Sequence, residues 1–173
     1  MIPWNEINFF NKNEFPADPD IYAEPEVIIS LNEFRRITGR KIYPSPLKRA
    51  FVRLGDEDVN SQHYCAPDFS IKSRAIDVFP EGNPFKNWLN AVSCGLWGGV
   101  GVYFGTFYGT RTNLWPMLHL DIRCRDNGVP ALWYRNPSGE YDFFMRRDTS
   151  AIDVFFRMFS AYGLLDKQLK RRK

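Results

Sequence analysis

The chain holds only two histidines, His63 and His119, and each stands where an imidazole could take part in chemistry. His63 follows Ser61-Gln62 in a stretch that reads as loop. His119 lies in the run Met117 to Cys124, where Leu118, Leu120, Ile122 and Cys124 alternate with Met117, His119, Asp121 and Arg123. A strand period of two puts His119 and Asp121 side by side on one face. Asp77 is the third candidate, a carboxylate set between the apolar residues of Ala75-Ile76-Asp77-Val78, where it needs a partner to be tolerated. Two imidazoles and one carboxylate form a three-ligand set that holds catalytic zinc and leaves a fourth position open. Loop histidines and strand aspartates also serve purely structural ends, so residue types alone leave both readings standing. The three cysteines, Cys65, Cys94 and Cys124, have no C-x-x-C spacing. They therefore suggest buried thiols rather than a disulfide framework or a cysteine zinc site.

The elements that must position these residues follow from periodicity and punctuation. Ile28, Leu31, Phe34 and Ile37 predict a helix over Val27 to Thr38, started near Ser30 or Asn32 and stopped by Gly39. Arg40 to Tyr43 reads as a short strand closed by Pro44-Ser45-Pro46, and Arg49 to Leu54 as a second short element. Arg74 to Phe79 is a strand ended by Pro80-Glu81-Gly82. Phe85 to Leu96 reads as a helix with Trp88, Leu89 and Val92 on one face. The run Gly98 to Phe104 is a strand whose glycines imply close approach to other chain. It lacks both G-x-x-x-x-G-K-[ST] and a helix-opening G-x-G-x-x-G, so no nucleotide site is expected. Val129 to Tyr134 and Tyr141 to Met145 complete the strands. Asp148-Thr149-Ser150 caps a helix to about Tyr162 with Ile152, Phe155, Phe156 and Phe159 as its apolar face. The fold class expected is α+β, a small antiparallel sheet flanked by helices. Its parts are an extended arm at 1–25, a main domain at 26–147, a helix at 148–166 packed on the same domain, and a basic tail at 167–173.

Four stretches in order, Ser61-Gln62-His63, Arg74-Ala75-Ile76-Asp77-Val78, Gly98-Gly99-Val100-Gly101-Val102-Tyr103 and Leu118-His119-Leu120-Asp121-Ile122-Arg123, resemble the hedgehog/D-Ala-D-Ala metallopeptidase superfamily. The likeness is greatest to its bacterial and phage peptidoglycan peptidases and covers about residues 27 to 135. It implies a zinc site in a cleft on the sheet, with His63, Asp77 and His119 as ligands. Two departures are plain. The segment Cys65 to Lys72 is inserted between the first two ligands, where the superfamily runs Ser-x-His-x-x-Gly-x-Ala-x-Asp. A loop of this kind is tolerated while both ends stay anchored. Trp115-Pro116-Met117-Leu118 also precede His119 where many members carry a Glu, Asp or His as general base. The resemblance then turns to Asp121, as base or as the group that orients a ligand. A cation that stabilises the oxyanion is sought among Lys48, Arg49 and Arg53, with Arg49 the choice. Tyr103 lines the cleft or belongs to the core.

Composition frames these expectations. A chain of 173 residues that is 44% hydrophobic and 25% charged suits one folded domain and excludes a disordered or collagen-like chain. The net charge of +3, with aromatics not interleaved among the basic residues, argues against nucleic acid as partner. No run approaches a membrane span, and Met1-Ile2-Pro3-Trp4-Asn5-Glu6 has no signal-peptide character. The resemblance implies a zinc peptidase of bacterial peptidoglycan, phage- or prophage-encoded, made in the host cytoplasm and acting at the cell wall or within a virion. The alternative is a non-catalytic virion protein that keeps the fold and meets other virion proteins through residues 1–25 or the C-terminal helix.

Overall fold

A computed structural model describes residues 1–55, 58–109, 114–124, 129–144 and 151–171, with the side chains of 114, 151, 152 and 164–171 left aside. In chain order the elements are α1 (Pro19–Tyr22), α2 (Pro25–Thr38), β1 (Ile42–Pro44), β2 (Arg53–Leu54), β3 (Tyr64–Cys65), β4 (Ala75–Pro80), α3 (Pro84–Ser93), β5 (Gly99–Gly109), β6 (Leu114–Asp121), β7 (Ala131–Arg135), β8 (Tyr141–Phe143) and α4 (Ala151–Arg171). The fold is α+β. Six strands form one sheet in the order β1-β4-β6-β5-β7-β8, while β2 and β3 pair apart from it. Every neighbour in the large sheet is antiparallel except β5 and β7, which run parallel.

Alternation decides what each face of the sheet carries. Ile76, Val78, Val100, Val102, Phe104, Leu118, Leu120 and Tyr134 are buried in one core with Val27, Ile28, Leu31 and Phe34 of α2, Trp88 and Ala91 of α3, and Val154 and Met158 of α4. The opposite face is left for Asp77, His119, Asp121, Gly101, Tyr103 and Trp133. Ile2, Ile7, Phe10 and Phe15 join the same core, so the aromatic-rich first 25 residues pack on this chain's own domain.

Helix α2 starts at Pro25, two residues before the expected Val27, because proline suits a first turn whose N–H groups lack partners anyway. It ends as expected at Gly39, which has φ 60°. Two helix faces differ from expectation. In α3 Trp88 and Ala91 face the core while Leu89 is exposed. In α4 the buried stripe is Val154, Met158 and Ala161, at i, i+4 and i+7, whereas Phe155, Phe156 and Phe159 are exposed. The phenylalanines lie one position round the helix, where Phe155 and Phe159 meet the ring of Phe85, at 5.5 and 6.0 Å between centroids. The expected cap Asp148-Thr149-Ser150 and the side chains of the basic tail lie outside the described residues. No described helix is long and apolar enough to cross a membrane.

Candidate metal centre

Register across the sheet assembles the site. Asp77 of β4 stands opposite His119 of β6, His119 opposite Gly101 of β5, Gly101 opposite Trp133 of β7, and Trp133 opposite Phe143 of β8. One row across five strands thus carries a carboxylate, an imidazole and an indole on one face. The glycine in that row is a spatial necessity, since a Cβ at Gly101 would lie 2.3 Å from the Trp133 indole. Gly99, one row along, gives the same room to the Asp121 carboxylate, 2.4 Å from where a Cβ would sit. The sequence signal of a glycine-broken strand therefore marks the site face.

His63 reaches the row from the loop after β2. Its backbone N–H donates to Ser61 Oγ at 3.2 Å, and its carbonyl accepts from the Arg53 N–H at 2.7 Å. The segment 65–72 closes on itself beside it. Ala66 N–H donates to the Ile71 carbonyl at 2.8 Å, and Arg74 N–H donates to Gln62 O at 2.7 Å, bringing the two ends of the segment together. Phe69 lies against Tyr22, 5.6 Å between ring centres, and no residue of 65–72 lines the cleft.

Three donor atoms converge. His63 Nε2 lies 3.0 Å from His119 Nδ1 and 3.3 Å from Asp77 Oδ1, and His119 Nδ1 lies 2.9 Å from the same oxygen. Zinc bonds of about 2.0–2.1 Å in tetrahedral geometry separate ligand atoms by about 3.3–3.4 Å. All three residues are buried, and together they could hold a metal ion. Charge argues the same way. Burial pushes the Asp77 carboxyl up, but the two imidazoles beside it outweigh that and hold it at about 2. Burial works against a charged His119, yet its bonds to Asp121 and Asp77 raise it to about 9. The metal-free cluster thus keeps a positive charge between two carboxylates at neutral pH, and a bound cation would replace it.

Asp121 sits behind His119 rather than in front of it. Its Oδ2 lies 3.1 Å from His119 Nε2, the nitrogen turned away from the donor cluster, and the residue has no exposed surface. Arg123 Nε donates to Asp121 Oδ1 at 2.8 Å, closing the pair from the other side. Burial opposes its ionisation, but His119 and Arg123 hold the carboxyl well below the usual range. Of the two roles expected for Asp121, this placement suits the orienting one: a carboxylate on Nε2 would favour the tautomer that leaves Nδ1 open to a metal. Asp121→Asn is expected to weaken zinc binding roughly ten- to a hundredfold, measured by competition with a chromophoric chelator. His63 has no such support, since its Nδ1 is buried without a hydrogen-bond partner.

The cluster floors a cleft of about 530 Å³ walled by Arg53, Tyr103, Thr106, Met117, Trp133, Arg135 and Tyr141. Beside it an apolar groove of about 420 Å³ is formed by Pro46, Leu47, Phe79, Phe107 and Tyr108, and the two share Arg53, Asp77, Thr106 and Met117. Arg49 lines this groove with Asp77 and does not line the cleft of the two histidines; of the three basic candidates Arg53 lines both. Lys48 is turned to the face of Tyr22, 5.3 Å from its centroid. Tyr103 lines the cleft, where burial and the charge of Asp77 push its hydroxyl far up and keep it protonated. Trp133, Arg135, Tyr141 and Phe143 were not among the residues expected to matter. Only the parallel placement of β7 beside β5 brings them to the site. Comparison with protein-family models, with curated proteins and with solved structures gave no match.

Proposed function

We propose that this chain is a zinc-dependent peptidase that hydrolyses peptide bonds of bacterial peptidoglycan, phage- or prophage-encoded, acting at the cell wall or within a virion. The observation that carries the reading is the convergence of His63 Nε2, Asp77 Oδ1 and His119 Nδ1 on the floor of an open cleft. The likeness of the four sequence stretches to the peptidoglycan peptidases supplies the substrate class. His63, Asp77 and His119 would hold the ion, which supplies Lewis acidity toward an amide carbonyl and lowers the pKa of water to about 7.

The chain's own residues do the rest. Asp121 holds His119 in place, and Arg123 holds Asp121. The protonated Tyr103 hydroxyl, which accepts from Trp133 Nε1 at 3.4 Å, is a donor in position to meet developing negative charge on a substrate oxygen. Arg53, paired with Asp58 at 2.8 Å, lines both the cleft and the groove. Trp133, with His119 at 5.1 Å and the Arg123 guanidinium at 5.4 Å, is buried and packs the cleft lining firmly against the histidine cluster.

A second reading rests on one observation. Among the described residues lining the cleft, Asp77 is the only carboxylate, so no acid besides a ligand faces the substrate. This favours a virion protein that keeps the metal and does not turn over; Phe156 and Phe159, exposed on α4, would then serve partner contacts. Incubating purified, zinc-loaded protein with peptidoglycan of several chemotypes separates the two. Release of free amino groups that stops on chelation and returns with zinc is the expected result. Stoichiometric zinc with no release from any chemotype would leave the non-catalytic reading.

A further inference from the structure

The third row of the site face carries a cation that the metal centre does not use. Tyr103 stands opposite both Met117 and Arg135, and Arg135 opposite Tyr141. The Arg135 guanidinium is fixed from two sides. Its Nε donates to the Gly139 carbonyl at 3.0 Å, and it lies over the Tyr141 ring, 5.4 Å from the centroid. Gly139, at φ 97°, makes the turn that presents this carbonyl, and a Cβ there would come within 3.1 Å of the guanidinium Nη2. The neighbouring cleft cations are engaged: Arg123 with Asp121, and Arg53 with Asp58 at 2.8 Å. Arg135 has no carboxylate partner among the described residues, although it lines the cleft and is partly buried.

An oriented guanidinium with its bidentate edge unspent is suited to a carboxylate. The geometry points to Arg135 as the anchor for a free carboxylate on the bound peptide, an acidic anchor set across the cleft from the apolar groove. This rests on the reading of the cleft as a peptide site. The position follows from the sheet. Strands lie about 4.8 Å apart, so β7 is roughly 10 Å from β6, and Arg135 is two residues, about 7 Å, along from the row of His119. The two legs combine to about 12 Å, so the carboxylate sits about three to four extended residues from the metal donors. At the other end of the same row, Met117 and Phe79 open into the apolar groove. A peptide crossing the strands thus meets an apolar surface at one end and a fixed cation at the other, which sets its direction.

The carboxylate can come from a side chain or from the peptide's C-terminus, and matched peptides distinguish the two. Hydrolysis-resistant stem-type peptides are prepared with the side-chain acid or its amide, and with the C-terminal acid or its amide. Their dissociation constants for the zinc-loaded full chain are then measured by calorimetry. One acid–amide pair is expected to differ by at least about tenfold in favour of the acid, as hydrogen bonds to charged groups warrant. Arg135→Gln should bring that preference below about twofold, and Arg135→Lys should retain part of it because the charge stays while the fork is lost. Tyr141→Leu, a change at a half-exposed ring, should lower the preference without touching the guanidinium chemically. Because binding is the readout, the result is independent of turnover. An undiminished preference in Arg135→Gln with zinc content intact, or equal binding of every acid and amide by the parent chain, overturns the assignment. Failure of the peptidase reading shows instead as acid-selective binding without amino-group release.

Discussion

Replacing His63 with alanine is expected to take the chain from about one tightly held zinc ion to essentially none after dialysis against a competing chelator. Tetrahedral zinc sites are worth about 10–16 kcal/mol in total, or roughly 3 kcal/mol per ligand, so one lost imidazole costs at least about a hundredfold in affinity. His63 is the informative ligand to remove. Asp77 and His119 face each other across paired strands and contribute to the sheet's own buried hydrogen bonding, with His119 further clamped by Asp121. His63 is delivered by a loop and its second nitrogen has no partner, so its removal tests the metal with little else disturbed. Metal analysis by mass spectrometry beside circular dichroism gives the answer. Parent-like zinc affinity in a folded His63→Ala protein would show that the ion is held elsewhere. Amino-group release from peptidoglycan should fall with the zinc.

The largest effect on stability is expected at Gly98. Its backbone N–H donates to the Asp121 carbonyl, and its own carbonyl accepts from the Ala131 N–H, both at 2.8 Å, so it joins the end of β6 to the start of β7. A Cβ at this position would lie 1.8 Å from the Arg123 carbonyl oxygen, which is backbone and cannot swing aside as a side-chain tip would. Gly98→Ala therefore requires the strands to separate. A cost of about 3 kcal/mol is expected, and a fall in melting temperature of about 6–12 °C for a chain of this size. Gly163→Ala is the matched control. Gly163 lies inside α4 with nothing within 4 Å of the added carbon, and helix propensity predicts a gain of about 0.5–1 kcal/mol. Thermal unfolding of the two variants checks both signs. Equal small effects would mean that Gly98 is not confined as described. Because Gly98 adjoins Asp121, its alanine variant should also bind zinc more weakly.

Residue type and local pattern already singled out the three residues that the structure brings together, and several of the elements that carry them. His63, Asp77 and His119 stood out through residue type and neighbours, since a chain with two histidines has few ways to build a metal centre, and a carboxylate amid apolar strand residues needs a partner. The alternation of Leu118, His119, Leu120 and Asp121 put His119 and Asp121 on one face, and they are bonded there. The glycines at 99 and 101 announced close approach, and the structure supplies what approaches: Asp121 and Trp133. Helix α2 and its glycine stop were likewise legible, because both rest on interactions within a few residues.

What tertiary structure alone decided is long-range. Whether Asp121 faces the cleft or stands behind His119 depends on which imidazole nitrogen turns toward Asp77, and that is settled by the pairing of β4 with β6, over 40 residues apart. The exposure of Phe155, Phe156 and Phe159 follows from the phase of α4 against α3 and the sheet, for which a helix rich in apolar residues offers more than one stripe. The cleft wall is the clearest case. Trp133, Arg135 and Tyr141 carry no motif, and they reach the cleft floored by His63, Asp77 and His119 only because β7 lies parallel beside β5, bringing residues some 30 positions apart into register. Strand order is set by how whole faces of the sheet bury their apolar side chains, and no window of neighbouring residues contains that information.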